Sequence, residues 1–224
     1  MSGTMDTAQR GDSAVRIGAR FRRPWHRGYA RNKLRLDPVY AAVATLVEHD
    51  AFELLDVGCG LGLLGFHLRA HGFRGNYRGL DFDPVKIDAA RAAAGGEAGL
   101  AFDKGDAQGL PAFLGHVALI DVLHYLPAAA QPPLLLEAAA RVAPGAALII
   151  RSVLRQPGWR FRTTVLEERL LYAMGWMQSA AQHFPAREEI EAPLRDAGLE
   201  VGVRPLWGNT PFNSFMIVAR RPLR

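Results

Sequence analysis

Leu54-Leu55-Asp56-Val57-Gly58-Cys59-Gly60-Leu61-Gly62 is the stretch on which the fold turns. An apolar run from Phe52 to Val57 breaks into three glycines, and Leu61–Ala70 then reads as helical. A short apolar run that ends in a glycine cluster predicts a buried strand turning sharply into a helix. Glycines let the backbone adopt left-handed conformations and lie close to a ligand. The free amides at such a helix start favour a polar or anionic group.

Outward from this turn, strand and helix signals alternate. Asn76–Asp81 reads as a second strand, and Asp83-Pro84 as the cap and first turn of a helix through about Ala94. Leu100–Asp103 is a short third strand. Val117–Leu123 is apolar nearly throughout, as a strand covered on both faces should be. Pro132-Pro133 fits the first turn of a helix ending near Val142, and Pro144-Gly145 turns into a fifth strand, Ala147–Val153. Upstream, Asp37-Pro38 repeats the cap-plus-proline signal and opens a helix to about Glu48. This order predicts an α/β, Rossmann-like domain with a mostly parallel sheet, right-handed crossovers and helices on both faces. Ligands of such sheets bind beyond the carboxyl ends of the strands, near the point where strand order reverses.

Residues 154–184 break the alternation. Val165, Leu166, Leu170, Met174 and Met177 recur at helical spacing, with Glu167, Glu168 and Arg169 on the other side, which predicts an amphipathic helix. A further helix is expected over Ala186–Ala197, stopped by Gly198. Leu199–Leu206 and Phe215–Arg220 read as two final strands joined by Trp207-Gly208-Asn209-Thr210-Pro211-Phe212. The domain is thus expected over 26–224, with a core at about 52–153, a helical lid insertion at about 154–184 and a C-terminal helix and strand pair at 186–221.

The 224 residues suit one domain, and the single Cys59 excludes an internal disulfide framework and any cysteine-rich metal site. No metal is therefore expected. A lone cysteine agrees with a reducing cytoplasm, and no apolar run is long enough for a membrane span or a signal peptide. The net charge of +5 is uneven: residues 10–35 carry eight Arg and one Lys against Asp12, leaving the remainder at −3. Residues 1–25 therefore read as a basic, flexible N-terminal arm suited to an acidic partner.

Gly60-Leu61-Gly62-Leu63-Leu64-Gly65 also matches a dinucleotide fingerprint, with Asp81 where a ribose-binding acid belongs. Three features favour another ligand. Asp56 lies just before the turn, where it would repel a pyrophosphate but suit an ammonium group. Asp106, in Lys104-Gly105-Asp106-Ala107, follows the third strand, where an adenine amine could be bound. Asp121-Val122-Leu123-His124-Tyr125 closes the fourth strand with polar groups at the ligand edge.

As a set, Phe52 to Ile150 resembles the motif series of class I S-adenosylmethionine-dependent methyltransferases. The resemblance implies S-adenosyl-L-methionine as cofactor and a seven-stranded sheet whose last strand is antiparallel. It implies that Asp56, Gly58, Gly60 and Gly62 surround the methionine part. Asp81 would take both ribose hydroxyls, with Phe82 against the adenine, while Asp83 caps its helix. Asp106 would accept from the adenine amine beside the Ala107 backbone, and Asp121 to His124 would close the site below the sulfonium.

Methyl transfer is an in-line displacement on an activated electrophile, so the protein mainly aligns the reactants. A base helps only when the acceptor must lose a proton, as a phenol would. His124, with a reference pKa of about 6.5, is the first candidate, followed by Tyr125 and, in the insertion, His183. Trp159, Trp176, Trp207 and Phe212, with the other aromatic residues of the insertion, predict an apolar cover over an aromatic or acyl acceptor.

A narrower resemblance runs through His26–Tyr40, Gly158-Trp159-Arg160-Phe161-Arg162 and Asn209–Phe212, which are similar to methyltransferases of bacterial aryl-polyene and related pigment pathways. It implies an aryl acceptor tethered to an acidic acyl carrier protein, and places Tyr29 and Lys33 over the cofactor, with Lys33 meeting its carboxylate. The alternatives are an RNA methyltransferase using the basic arm, a cofactor-binding module without catalysis, and a nicotinamide-dependent oxidoreductase. No Asn-Pro-Pro-Tyr motif and no catalytic cysteine pair supports the first of these.

Overall fold

A computed structural model describes residues 7–47, 52–173, 180–208 and 210–223. The chain forms two compact units, Met1–Asp106 and Ala107–Arg224. The first contains α1 (Thr7–Ala19), α2 (Pro24–Leu36), α3 (Val39–Val47), β1 (Leu54–Val57), α4 (Leu63–Ala70), β2 (Tyr77–Asp81), α5 (Pro84–Ala94) and β3 (Leu100–Lys104). The second contains β4 (His116–Ile120), α6 (Gln131–Ala139), β5 (Ala147–Val153), α7 (Trp159–Ala173), α8 (Arg187–Asp196), β6 (Glu200–Pro205) and β7 (Ser214–Arg220).

The seven strands follow the order β3-β2-β1-β4-β5-β7-β6. β1, β2 and β3 run parallel, as do β4 and β5, while β7 is antiparallel to both β5 and β6. The α/β, Rossmann-like fold with a mostly parallel sheet is therefore the observed one. All four residues of β1 are buried, and Leu148, Ile149 and Ile150 of β5 are fully so. Such strands need apolar side chains on both faces, which explains why their sequences read as continuous apolar runs.

The N-terminal arm departs from expectation. From Thr7 onward the basic segment is helical and packed. Ala14, Ile17 and Phe21 are buried, and the Phe21 ring meets Phe66 of α4 edge-on at 5.9 Å. Gly18 permits the close approach of α1 and α2: a Cβ there would fall 2.5 Å from Cγ of Arg31. The arginines hid this periodicity, because their heads stay in water while their stems cover apolar surface.

Two boundaries also differ. β4 stops at Ile120, because Asp121 adopts a φ of +59° and turns the chain into a short 3-10 turn over Leu123–Tyr125. α7 starts at Trp159 and presents Leu166 and Leu170 outward at 59% and 53% exposure, whereas the Glu168 side chain is only 15% exposed. The expected orientation of that helix, acids out and leucines in, is thus reversed at Glu168, which is drawn in by two polar partners described below. No described helix is long and apolar enough to cross a membrane.

Candidate functional site

In the first unit the glycine turn is fastened to β2. The amides of Gly58 and Cys59 both donate to the Leu80 carbonyl, at 2.7 and 2.9 Å. Gly58, Gly60 and Gly62 have φ of +78°, +56° and +72°. Gly62 is doubly constrained, since a Cβ would lie 2.2 Å from the Phe102 ring. At Gly60 a Cβ would meet nothing within 4 Å, so open space adjoins the turn.

Asp81 and Asp83 make different contacts. Asp83 caps α5 by accepting from the Val85 and Lys86 amides. Asp81 accepts the Gly60 amide on Oδ2 at 2.8 Å and the Asp83 amide on Oδ1 at 2.9 Å. Those two bonds fix the carboxylate beside the turn and leave it lone pairs for further donors, such as ribose hydroxyls. The Gly105 amide donates to the Asp81 carbonyl at 3.0 Å, which sets exposed Asp106 at the same strand edge. Phe82 is 54% exposed.

Asp56 is buried on β1. Its Oδ2 accepts the Tyr77 hydroxyl at 2.5 Å, while Oδ1 is shut off from solvent with no hydrogen-bond partner among the described residues. Burial pushes the carboxyl up to about 7, against the lowering effect of the Tyr77 hydroxyl, and Asp81 raises it further. A buried acceptor left open beside a glycine turn fits a ligand that brings a cation or donor, as the ammonium of an amino-acid moiety does. Burial also pushes the Cys59 thiol well up, which disfavours the thiolate form. On α2, Tyr29 is 43% exposed and Lys33 is ion-paired with Asp37 at 3.0 Å.

In the second unit, which begins at Ala107, the polar residues after β4 are gathered tightly. Asp121 pairs with Arg151 of β5 at 2.5 Å, and Arg151 also donates to the Ser214 hydroxyl. The carboxylate expected near a cofactor is thus balanced by a guanidinium. A non-glycine residue held at positive φ is costly, and such positions cluster at working sites.

His124 is buried, with its ring stacked on Phe184 at 5.8 Å and tilted against Tyr125 at 4.1 Å. Its Nε2 lies 3.8 Å from a Glu168 oxygen, and the Tyr125 hydroxyl donates to the other Glu168 oxygen at 3.2 Å. The His124 carbonyl accepts the Gln182 amide, and Gln131 ties the Leu123 and His183 carbonyls together. Glu168 escaped the sequence reading because a mid-helix acid among charged neighbours looks solvated. Its one signal was a run, Glu167-Glu168-Arg169, in the segment assigned to the acceptor.

The remaining acceptor residues are partly assembled. His183 is held by Glu189 at 3.1 Å, and Glu189 lies below the usual carboxylate range through the Ala186 amide and then His183 itself. Trp159 is 62% exposed and Phe212 half-buried. Arg160 lies over both the Trp159 and the Trp207 ring, 4.6 Å from each, and Phe161 meets Phe184 edge-on. Trp176 lies outside the described residues. Among the described residues no group of three or more His, Cys, Asp or Glu side chains could hold a metal ion.

Residues 54–145 match the model of a methyltransferase domain family. Solved structures of like fold include an O-methyltransferase family protein from Burkholderia thailandensis, at 24% identity and TM-score 0.67. The match covers 94% of this chain and 64% of that one, so this chain spans less than two thirds of its length. The magnesium protoporphyrin IX methyltransferase of Synechocystis PCC 6803, solved with bound SAH, aligns at 19% identity and TM-score 0.63 over 99% of this chain and 90% of that one. The [4+2]-cyclase SpnF aligns at 17% identity and TM-score 0.66, covering 91% and 84%. At these identities the likeness establishes the fold. No curated protein sequence matches the chain.

Proposed function

We propose that the chain is a class I, S-adenosylmethionine-dependent methyltransferase that methylates a small aromatic or acyl acceptor, with His124 taking the acceptor's proton; the match of residues 54–145 to a methyltransferase domain supports the reaction class. The observation that supports this reading most is the cluster in the second unit: His124 between Phe184 and Tyr125, with a Glu168 oxygen 3.8 Å from its Nε2. Aromatic side chains around a potential base suit a planar acceptor whose hydroxyl must be deprotonated. The O-methyltransferase description of the Burkholderia protein agrees with an oxygen acceptor.

The bound cofactor supplies a methyl group on a sulfonium, already activated for displacement. On our reading Asp56 receives the ammonium through Oδ1, the Gly58–Gly62 turn lies along the methionine part, and Asp81 holds the ribose. Phe82 and Asp106 would take the adenine, with the Ala107 backbone beside them, and Tyr29 and Lys33 would fold over the cofactor, Lys33 meeting its carboxylate. Glu168 faces Nε2 and would orient the imidazole as it takes the acceptor's proton. Tyr125, donating to Glu168, fixes that carboxylate.

Tethering of the acceptor to an acidic carrier protein is the finer part of the proposal. Arg16, Arg22, Arg23, Arg31 and Arg35 are exposed on the α1–α2 hairpin. A surface of that charge would attract an acidic carrier, with an affinity that falls steeply as salt rises. The test of the function is turnover of a 4-hydroxyphenyl acceptor with S-adenosylmethionine, followed by mass spectrometry. Gain of one methyl on the phenol oxygen, abolished in His124→Ala, is the expected result. Methylation that persists in that variant across pH removes His124 as the base.

A further inference from the structure

Resting on the aryl-acceptor reading, we propose that Arg160 and the indole N–H of Trp207 form a carboxylate-binding subsite that selects acceptors bearing a free acid. Arg160, near the start of α7, donates through Nη1 to the Thr210 carbonyl at 2.5 Å. Its guanidinium lies 4.6 Å from the centroids of both the Trp159 and Trp207 rings. Among the described residues it has no carboxylate partner. Its Nε and Nη2 hydrogens therefore remain available as a fork, the geometry that matches a carboxylate.

A second observation points independently to the same ligand chemistry. Nε1 of Trp207 is shut off from solvent and finds no acceptor among the described residues. Indole nitrogen is a donor only, and a buried donor is normally satisfied. The Trp207 ring packs edge-on against Phe215 of β7, so the indole sits against a strand of the sheet. The guanidinium calls for an anion and the indole N–H for an acceptor, and the oxygens of one carboxylate supply both. A helix-borne cation held between two indoles is also less hydrated than a free one, which strengthens its pairing with an anion.

The sequence assigned Trp159 and Trp207 to the acceptor as apolar cover. The structure gives them a second task, framing the charge that reads the acceptor's acid group. Arg160 contacts the acceptor on this proposal and takes no part in the proton transfer assigned to His124.

Calorimetric titration of the full chain with 4-hydroxybenzoate and with its methyl ester tests this, in the wild type and in Arg160→Met and Trp207→Phe. Trp207→Phe keeps a ring and removes the donor. The wild type is expected to bind the acid at least tenfold more tightly than the ester. Each variant should lose most of that preference through weaker binding of the acid, with S-adenosylhomocysteine affinity unchanged as the control for folding. Equal affinity for acid and ester, no binding of either, or an unaltered preference in Arg160→Met overturns the subsite. Binding is read without turnover: a retained acid preference with no methyl transfer would keep the subsite and sink the function proposed above.

Discussion

Tyr77 and Asp56, on neighbouring parallel strands, share a 2.5 Å hydrogen bond in which the phenol donates to Oδ2, while Oδ1 of the same carboxylate stays buried and open. One oxygen is thus anchored by the fold and the other has no partner among the described residues. Burial raises the carboxyl to about 7, so it changes charge near neutrality.

The pH dependence of cofactor binding follows from that. A cationic ammonium beside Asp56 favours the ionised form, so binding must release a proton wherever the free protein holds one. S-adenosylhomocysteine affinity should rise with pH from 5.5 and level off above about 7. Calorimetry in two buffers of different ionisation heat would show the proton release. In Asp56→Asn the slope should vanish and affinity at pH 8 should fall roughly tenfold, the loss of a charge-assisted hydrogen bond.

Stability carries the opposite sign. The folded carboxyl titrates about 7 and the unfolded one near 3.8, so the native state holds the extra proton between those values. Asp56 therefore costs nothing below about pH 4 and destabilises the fold progressively as pH rises through 7, by an amount on the order of 4 kcal/mol at most. Urea unfolding of the ligand-free protein at pH 5 and pH 8 should show that decline, and Asp56→Asn should flatten it.

The glycines are unequal. Gly62→Ala places a methyl into the Phe102 ring at a φ of +72°, whereas Gly60→Ala meets open space and only backbone strain. Thermal melts should show a loss of about 1–2 kcal/mol for Gly60→Ala and clearly more for Gly62→Ala. Equal losses would mean that the Phe102 contact is unimportant.

Glu168 is predicted to act through His124. Glu168→Gln should lower kcat by about 10²-fold, shift the rising limb of the pH–rate profile and leave S-adenosylhomocysteine binding intact. A purely structural Glu168 would instead lower the melting temperature with no change in the profile's shape.

The basic N-terminal segment is a packed element, and Phe21 is its anchor against Phe66. Phe21→Ala should destabilise the fold by about 3–5 kcal/mol. Limited trypsin digestion, despite the many arginines, should spare the wild-type α1–α2 hairpin and cut the variant there.

The strands and glycine turn were readable because β1, β4 and β5 are buried on both faces and the positions with left-handed backbone at 58, 60 and 62 all carry glycine. α1 was not readable, because Arg10, Arg16 and Arg20 masked a buried face of Ala14, Ile17 and Phe21. Asp83 could be recognised as a helix cap, since a proline directly follows it. Glu168 could not be found: its inward turn depends on His124 and Tyr125, more than forty residues away, and no local pattern encodes that. The contact of Arg160 with Trp207 was hidden for the same reason.

The most direct test of the account is calorimetric titration of the purified chain with S-adenosylhomocysteine and, separately, NAD, in the wild type and in Asp81→Ala. One equivalent of S-adenosylhomocysteine bound, at least tenfold more weakly in the variant, with no heat from NAD, is the predicted result. Uptake of NAD without S-adenosylhomocysteine binding, or affinity indifferent to the loss of Asp81, would contradict it.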